Sequence, residues 1–582
     1  VQNVNLLIDL YESIQRTHVP VWFDKAETIL KHEKQYRKII NDSAKTLKND
    51  VSWRFKLANK KEYDLYYLDK NCMFISFTKQ QVLSLKEYSF VLSQLINFKW
   101  AQLLEKFNHS PRIASKVKGI SDNTIKRSSL TKYKNIHMIG IGGVSMSGIA
   151  AILKNFGFHV TGSDANDSDS IKLLKDKGIK VTVGHNLEDI SKADVVVYSA
   201  AIKQDDPEML EAKKLNIETI ERADFLGILT RCFKDTICIS GTHGKTTTTS
   251  MVSLCFIEAL KDPSIQVGAF LKAINGNYKV GNSEHFIIEA CEYVESFLKF
   301  SPKAEIILNI DNDHLDYFKN FENIKNAFIK YVKLLPPEGL LIVNGDDVNC
   351  LELPKYTNAK CLSYGITNKK TDFFAVNITF DDCGFPEFDV YSHNEFFDRI
   401  KLNVPGMHNV LNALACIALC TEYGIEKSAI KSALLKFTGA NRRFEFKGKV
   451  NGANIFDDYG HHPTEIIATA KSLMNKKYNK SWVVFQPHTY SRTKTLLDDF
   501  AKALLNFDNI IVLDIYAARE TNTFGISSKD LVNKIISLGK DAKYIPDFEE
   551  CVNYLKNNVS ENDIIMTLGA GTVTKIGPML AD

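Results

Sequence analysis

From residue 135 onward, short apolar runs alternate with segments of helical length. NIHMIGI (135–141) reads as a buried strand, SMSGIAAILKNFG (145–157) as a helix stopping at Gly157, and FHVTGSD (158–164) as the next strand. ADVVVYSAAI follows, and then DTICIS, HFIIEA, AEIILNI and GLLIVNG, spaced by helical stretches such as NFENIKNAFIKYVKLL. A third series, GANIFDDY, KSWVVFQP, NIIVLDIY and DIIMTLGAG, begins after Arg443. Strand–turn–helix repetition of this kind predicts βαβ units and parallel sheets, an α/β fold. Between 366 and 404 polarity alternates differently, and this stretch reads as antiparallel hairpins within the second series.

The first 133 residues follow another pattern. They read as mostly helical (23–47 and 84–107), with a hairpin-like YDLYYLDKNCMFISFTK and a basic, linker-like stretch from Arg112 to Lys134. Composition changes at the same place. Residues 1–134 hold 24 Lys and Arg against 13 Asp and Glu, and three of the four tryptophans, Trp22, Trp53 and Trp100. A chain of 582 residues is too long for one core, so several domains are expected, with a boundary near 134. No apolar run approaches the roughly 18 residues of a membrane span, and the N-terminus lacks the basic and apolar regions of a signal peptide. Eleven scattered cysteines without a CxxC pair suit a reducing cytosol, and Cys416 and Cys420 read as small buried residues of a helix. The cytoplasm is the expected compartment.

Two glycine turns carry the first candidate chemistry. Gly140-Ile-Gly142-Gly143, with Gly148 in the following helix, joins a strand to a helix N-terminus, where backbone N–H groups receive a pyrophosphate. Asp164 ends the next strand, at a position where an acidic residue takes ribose hydroxyls. The second turn, Gly241-Thr242-His243-Gly244-Lys245-Thr246-Thr247, follows DTICIS and opens another helix. It has two residues fewer than a Walker loop between its first glycine and Gly-Lys-Thr. Its Lys245 can still hold β- and γ-phosphates, and its Thr246 hydroxyl can bind Mg²⁺.

Acidic and histidine residues then fall at the ends of consecutive strands. Glu289, Glu292 and Glu295 lie in EACEYVES, and Asp311, Asp313, His314 and Asp316 in NIDNDHLDYF. Carboxylates on the sheet edge where the phosphate loop opens favour a Mg²⁺ site. Two further motifs are DDYGHHPTE, with Asp457, Asp458, Tyr459, His461 and His462 before a helix starting near Pro463, and FQPHTYSRT, with His488 and Arg492. A cation such as Arg492 can fix an anionic substrate group.

Taken together, IHMIGIGGVSMSGIA, SGTHGKTTTTSM, EACEYVESFL, NIDNDHLD, PGMHNVLNALA, NRRFE, DDYGHHPTE, FQPHTYSRT and LGAGTVTK resemble the Mur ligase family over residues 134–582. The resemblance implies a Rossmann-like UDP-sugar-binding domain (134–232), a central P-loop ATPase domain (233–443) and a C-terminal Rossmann-like domain (444–582). A mostly helical basic extension (1–133) precedes them. It implies ATP-dependent ligation of L-alanine to UDP-N-acetylmuramate through an acyl phosphate, with ATP and Mg²⁺ required. It implies UDP-sugar contacts at Gly140, Gly142, Gly143, Ser145, Asp164 and Ser199. For ATP it implies Gly241, Thr242, His243, Gly244, Lys245, Thr246, Thr247, Asn409, Arg443 and Asp458, and for the metal Thr246, Glu292 and His314. Tyr459, His461, His488 and Arg492 would face the muramoyl end and the amino acid, and Lys245, Arg443 and His461 would be catalytic. A sister branch that attaches a whole peptide to the same sugar nucleotide shares HHPT, but FQPHTYSRT is more similar to the alanine-adding branch. Expected partners are these small molecules. No membrane is expected, the oligomeric state is monomer or homodimer, and nucleic acid is a candidate only for the basic residues 1–133.

The sequence also departs from the family pattern. Met407 stands where PGRHN has arginine, Cys291 replaces the acidic residue of EADES, and Gly460 replaces an alanine. Sister ligases use a carbamylated lysine near a second metal, and Lys325 is the candidate here.

Overall fold

The computed structural model describes residue 130 and residues 132–582, apart from 382, 383, 440, 475, 519, 582 and the side chain of 316. It also describes the backbone of three strands nearer the N-terminus. Those strands, Trp53–Lys56, Glu62–Asp69 and Cys72–Ser76, form an antiparallel meander in which Tyr66 pairs with Phe74. The hairpin expected there is present. The helices expected at 23–47 and 84–107 lie outside the described residues, as does nearly all of the basic linker. Thr124–Asp582 is a separate compact unit.

The first domain of that unit is a five-stranded parallel sheet in the order Lys180–Val183, His159–Asp164, Asn135–Ile139, Val195–Tyr198, Glu218–Glu221. The first strand in sequence is central and the chain winds outward both ways, so the order reverses beside it. In such sheets the ligand crevice lies at that switch point, outside the carboxyl ends of the strands. Gly140–Gly143 occupies it.

The middle domain has a ten-stranded sheet in which Asp235–Ser240 lies between His285–Glu289 and Ala304–Ile307, all parallel. Every residue from Thr236 to Ser240 is buried, as expected of a strand covered on both faces. Phe373–Phe380, Pro386–Ser392 and Glu395–Lys401 are antiparallel and extend one edge of this sheet, matching the hairpins expected between 366 and 404. The C-terminal domain is six-stranded, with Ala453–Asp458, Ile564–Leu568, Ser481–Phe485 and Asn509–Val512 parallel and adjacent.

The first two domains share apolar packing. Phe233, on the segment between them, stacks on Phe286 of the middle sheet at 4.7 Å and leans on Phe156 of the first domain at 5.7 Å. Leu130 and Tyr133 are buried in the same cluster, so the described end of the linker packs against the first domain. No helix among the described residues is long and apolar enough to cross a membrane.

Candidate active site

At the switch point of the first domain, the turn is drawn tight by Gly140 N–H and Ile141 N–H, both donating to Ser163 O. Gly140 has φ +77°, and a Cβ there would meet Ser199 at 3.2 Å. The helix that follows, Val144–Asn155, has Gly143 at its N-cap and no side-chain cap, which leaves first-turn N–H groups for an anion. Asp164 accepts from Gly142 N–H at 2.9 Å and from Asn166 N–H, so its carboxylate holds the turn as well as facing the crevice. Ser145 is engaged elsewhere: Gln266 of the middle domain donates to its hydroxyl at 2.6 Å and to its carbonyl at 3.0 Å.

The phosphate loop is folded by its two end glycines. Gly241 (φ +133°) packs so closely on the chain at Leu308 and Asn309 that an added Cβ would lie at 2.9–3.0 Å from them. Gly244 (φ +87°) would place a Cβ 2.8 Å from Asn412 Oδ1. Left-handed backbone and close approach together require glycine at both positions. The helix Lys245–Glu258 begins at once, with no side-chain cap. Thr247 is buried in its first turn. Lys245 curls back over the loop, donating to Gly241 O at 2.5 Å and Thr242 O at 3.1 Å, and to both Glu292 oxygens at 2.9 and 3.2 Å. Burial opposes its charge, but Glu292 outweighs it and the ammonium titrates well above the ordinary lysine value.

The strands flanking the loop strand end in the acidic motifs. Thr246 donates to Glu289 at 3.1 Å, and Glu289 also accepts from Gly268 N–H. His314 Nε2 lies 3.9 Å from Glu292 and 3.8 Å from Asp313, and Tyr293 lies over its imidazole with ring centroids 4.5 Å apart. Val294, Glu295 and His314 have φ of 50°, 55° and 55°, values that non-glycine residues rarely adopt and that cost energy. Of the three expected metal ligands, Glu292 and His314 are therefore neighbours, while the Thr246 hydroxyl is bonded to Glu289 instead.

The C-terminal domain meets this edge. His462 caps the helix Pro463–Leu473 and Glu465 closes a capping box, as the paired histidines before Pro463 suggest. Glu465 is also a hub: it accepts from His461 N–H at 2.9 Å, and lies 3.5 Å from His243 Nδ1 and 3.7 Å from Arg443. Besides the Glu465–His243 contact, polar contacts of Thr464, His462 and Arg492 cross from this domain to the middle one. Thr464 donates to Asp311 at 2.8 Å, His462 Nε2 lies 2.8 Å from Asn312 O, and Arg492 donates to Asp313 at 3.1 Å. The guanidinium groups of Arg442 and Arg443 lie 5.1 and 5.2 Å from the ring centroid of Tyr459. His461 and His488 face each other at 5.8 Å, and burial pushes both down to about 4, so both are neutral at pH 7. Burial pulls against charge on His243 as well, but Asp311 and Glu465 raise it to about 9.

Two of the expected ATP contacts are structural in this arrangement. Asn409 is buried, donating to Pro405 O and accepting from Asn412. Asp458 accepts from Phe444 N–H and Gly460 N–H, and burial raises it to about 6. Lys325, the carbamylation candidate, has its amine 2.6 Å from Glu352, which raises its pKa. Met407 and Cys291 are both exposed. Glu465 is the residue the motifs do not name, and Asp311 and Asp313, expected as carboxylates of a Mg²⁺ site, also bind Thr464 and Arg492 of the C-terminal domain, contacts that depend on the meeting of two domains. The PTE of DDYGHHPTE, a capping-box glutamate, was the available signal.

Three family profiles match along the chain: the Mur ligase family catalytic domain over residues 135–234, the Mur ligase middle domain over 239–420, and the Mur ligase glutamate ligase domain over 442–571. The chain belongs to the Mur ligase family. It is 49% identical over 448 residues to the UDP-N-acetylmuramate–L-alanine ligase of Acetivibrio thermocellus, covering 77% of this chain and 96% of that one. It is 50% identical to the enzyme of the same name from Clostridium acetobutylicum, covering 77% and 97%. Among solved structures, the UDP-N-acetylmuramate-alanine ligase of Thermotoga maritima superposes with a TM-score of 0.65 at 29% identity, covering 77% of this chain and 98% of that one. A murein peptide ligase from Psychrobacter arcticus shares the fold at TM-score 0.58 and 22% identity, over 77% and 98% of the two chains. As a Mur ligase, the chain is an ATP-dependent ligase of three α/β domains.

Proposed function

We propose that this Mur ligase joins L-alanine to the lactyl carboxylate of UDP-N-acetylmuramate, with ATP converted to ADP and phosphate, a step in peptidoglycan precursor synthesis. The observation that carries this reading is the run of contacts from Lys245 of the phosphate loop through Glu292, His314 and Asp313 to Arg492, beside His488 and His461. It is supported by near-50% identity to alanine-adding relatives along almost their whole length.

The physical difficulty is electrostatic: a carboxylate must approach a triphosphate. Lys245 supplies charge at the loop, and it moves from the Gly241 and Thr242 carbonyls and Glu292 to the phosphates when ATP binds. Arg443 supplies a second cation at the domain boundary. Fixed charges of this kind stabilise the transferring phosphoryl group more than the ground state. Thr246, Glu292 and His314 would hold Mg²⁺, which neutralises phosphate charge when bound. The UDP moiety sits on the Gly140–Gly143 turn. Attack of the carboxylate on the γ-phosphorus gives an acyl phosphate, and the alanine amine then displaces phosphate. The attacking amine must be neutral and must shed a proton. The neutral imidazoles of His461 and His488 are placed to accept it, and Arg492 to hold the alanine carboxylate. Docking of the C-terminal domain through Thr464, His462 and Arg492 excludes water from the acyl phosphate. All nine described cysteines are free, consistent with action in the cytoplasm.

The test is a co-substrate comparison. Purified enzyme with UDP-N-acetylmuramate and ATP should release phosphate with L-alanine. Preference for a tripeptide over alanine would replace this reading with that of a peptide-attaching ligase.

A further inference from the structure

Three thiols meet in the interior of the middle domain. Cys255 lies on the helix that begins with Lys245, and Cys416 and Cys420 lie one turn apart on the helix Met407–Glu422. Cys255 Sγ is 3.6 Å from Cys416 Sγ, which is 3.8 Å from Cys420 Sγ, and the three sulfurs all lie within 4.8 Å of one another. All three side chains are fully buried among apolar neighbours. A pyramidal centre with three nearly perpendicular bonds to sulfur of roughly 2.3 Å spaces its sulfurs about 3.3–3.5 Å apart, so the three sulfurs have only to draw together. The trio therefore needs little rearrangement to become a ligand shell.

Charge decides which ion fits. A divalent cation bound by three thiolates leaves a net negative complex, and burying an uncompensated charge is expensive. Among the described residues, the charged side chain acting on the trio is Glu258, itself an anion. A trivalent centre bound by three thiolates is neutral. Cys255 is the first nucleophile, because hydrogen bonds from Cys416 and Cys420 lower its pKa.

We propose that Cys255, Cys416 and Cys420 form a binding site for a trivalent metalloid hydroxide of the arsenite class. In the binding step three As–O bonds break and three As–S bonds form. Each thiol proton leaves with one hydroxide as water, so three waters are released and arsenic stays trivalent. The bound atom ties the helix carrying Lys245 to the helix carrying Asn409. Because the thiols are enclosed, binding waits for the helices to part and is slow.

The experiment is native mass spectrometry of the full chain with arsenite, repeated on Cys255→Ala, Cys416→Ala and Cys420→Ala, with Zn²⁺ in a parallel arm. The expected result is one arsenic per chain with three hydrogens lost, removed by a dithiol and retained in excess monothiol. Each substitution should weaken binding by roughly a hundredfold, at least what losing a supporting group around a bound ion costs. X-ray absorption at the arsenic edge of the unsubstituted chain reads the same site without depending on how the variants fold. Three sulfur neighbours and no oxygen support the site. An arsenic with oxygen neighbours, equal binding by folded variants, no bound arsenic, or Zn²⁺ held by these thiols in preference to arsenite would each overturn it.

Discussion

The Lys245 ammonium lies 2.9 Å from the Glu292 carboxylate at the mouth of the phosphate loop. The same ammonium also donates to the loop carbonyls of Gly241 and Thr242, and Glu292 outweighs burial and keeps it charged. Lys245→Ala should lower kcat by about 10²–10³ or more, the loss typical of removing a group that stabilises developing charge. UDP-sugar affinity should be nearly unchanged, since the Gly140–Gly143 turn lies in another domain. Steady-state kinetics beside calorimetric UDP-sugar binding checks this, and near-normal turnover would remove Lys245 from the mechanism.

Arg492 and Asp313 join the C-terminal domain to the middle one through a single charged hydrogen bond at 3.1 Å, and both side chains are mostly buried. A double-mutant cycle with Arg492→Ala and Asp313→Ala, read in kcat/KM for alanine, should show a coupling energy of about 1–3 kcal/mol. Additive effects would mean that the contact does not contribute to the closed, reactive state.

His243 ties pH to the same closure. Its folded pKa of about 9 lies above the ordinary 6.5, because Asp311 and Glu465 outweigh the cost of burial. The stabilisation is therefore complete below pH 6.5 and is lost as pH rises through about 9. It is on the order of 3–4 kcal/mol, at roughly 1.4 kcal/mol per pKa unit. Urea unfolding of the wild type and His243→Gln should differ most at pH 6 and converge above pH 9. A pH-independent difference would contradict the ion-pair account.

Glu305 sits fully buried on the strand Ala304–Ile307, and neither carboxylate oxygen has a hydrogen-bond partner among the described residues. Burial raises its pKa well above 4.5, so the folded state keeps a proton that the unfolded chain releases. Stability from this group is full below pH 4.5 and falls as pH rises toward the folded value. Glu305→Leu should raise the Tm at pH 8, by the equivalent of about 1–3 kcal/mol, and have little effect at pH 4. A lower Tm at both pH values would show that the carboxyl group is needed in the folded state.

Much of this was legible in the sequence because the parallel strands announce themselves. DTICIS is buried on both faces and reads as a continuous apolar run, and the glycines after it sit where only glycine fits. The motifs at the ends of HFIIEA and AEIILNI had to share an edge with the phosphate loop once the three strands were parallel neighbours. The second partners of these side chains were not legible. Asp313 shows its role only when Arg492 arrives from a short helix 179 residues later. Ser145 looked free for a sugar nucleotide until Gln266 was seen to bind it across a domain boundary.

The most direct test of the proposed reaction follows an oxygen atom. UDP-N-acetylmuramate labelled with heavy oxygen in its carboxylate is supplied with ATP and L-alanine, and the released phosphate is analysed by mass spectrometry. The account predicts one labelled oxygen in the phosphate for every amide bond formed. Unlabelled phosphate, or labelled phosphate formed with a peptide and never with alanine, would contradict it.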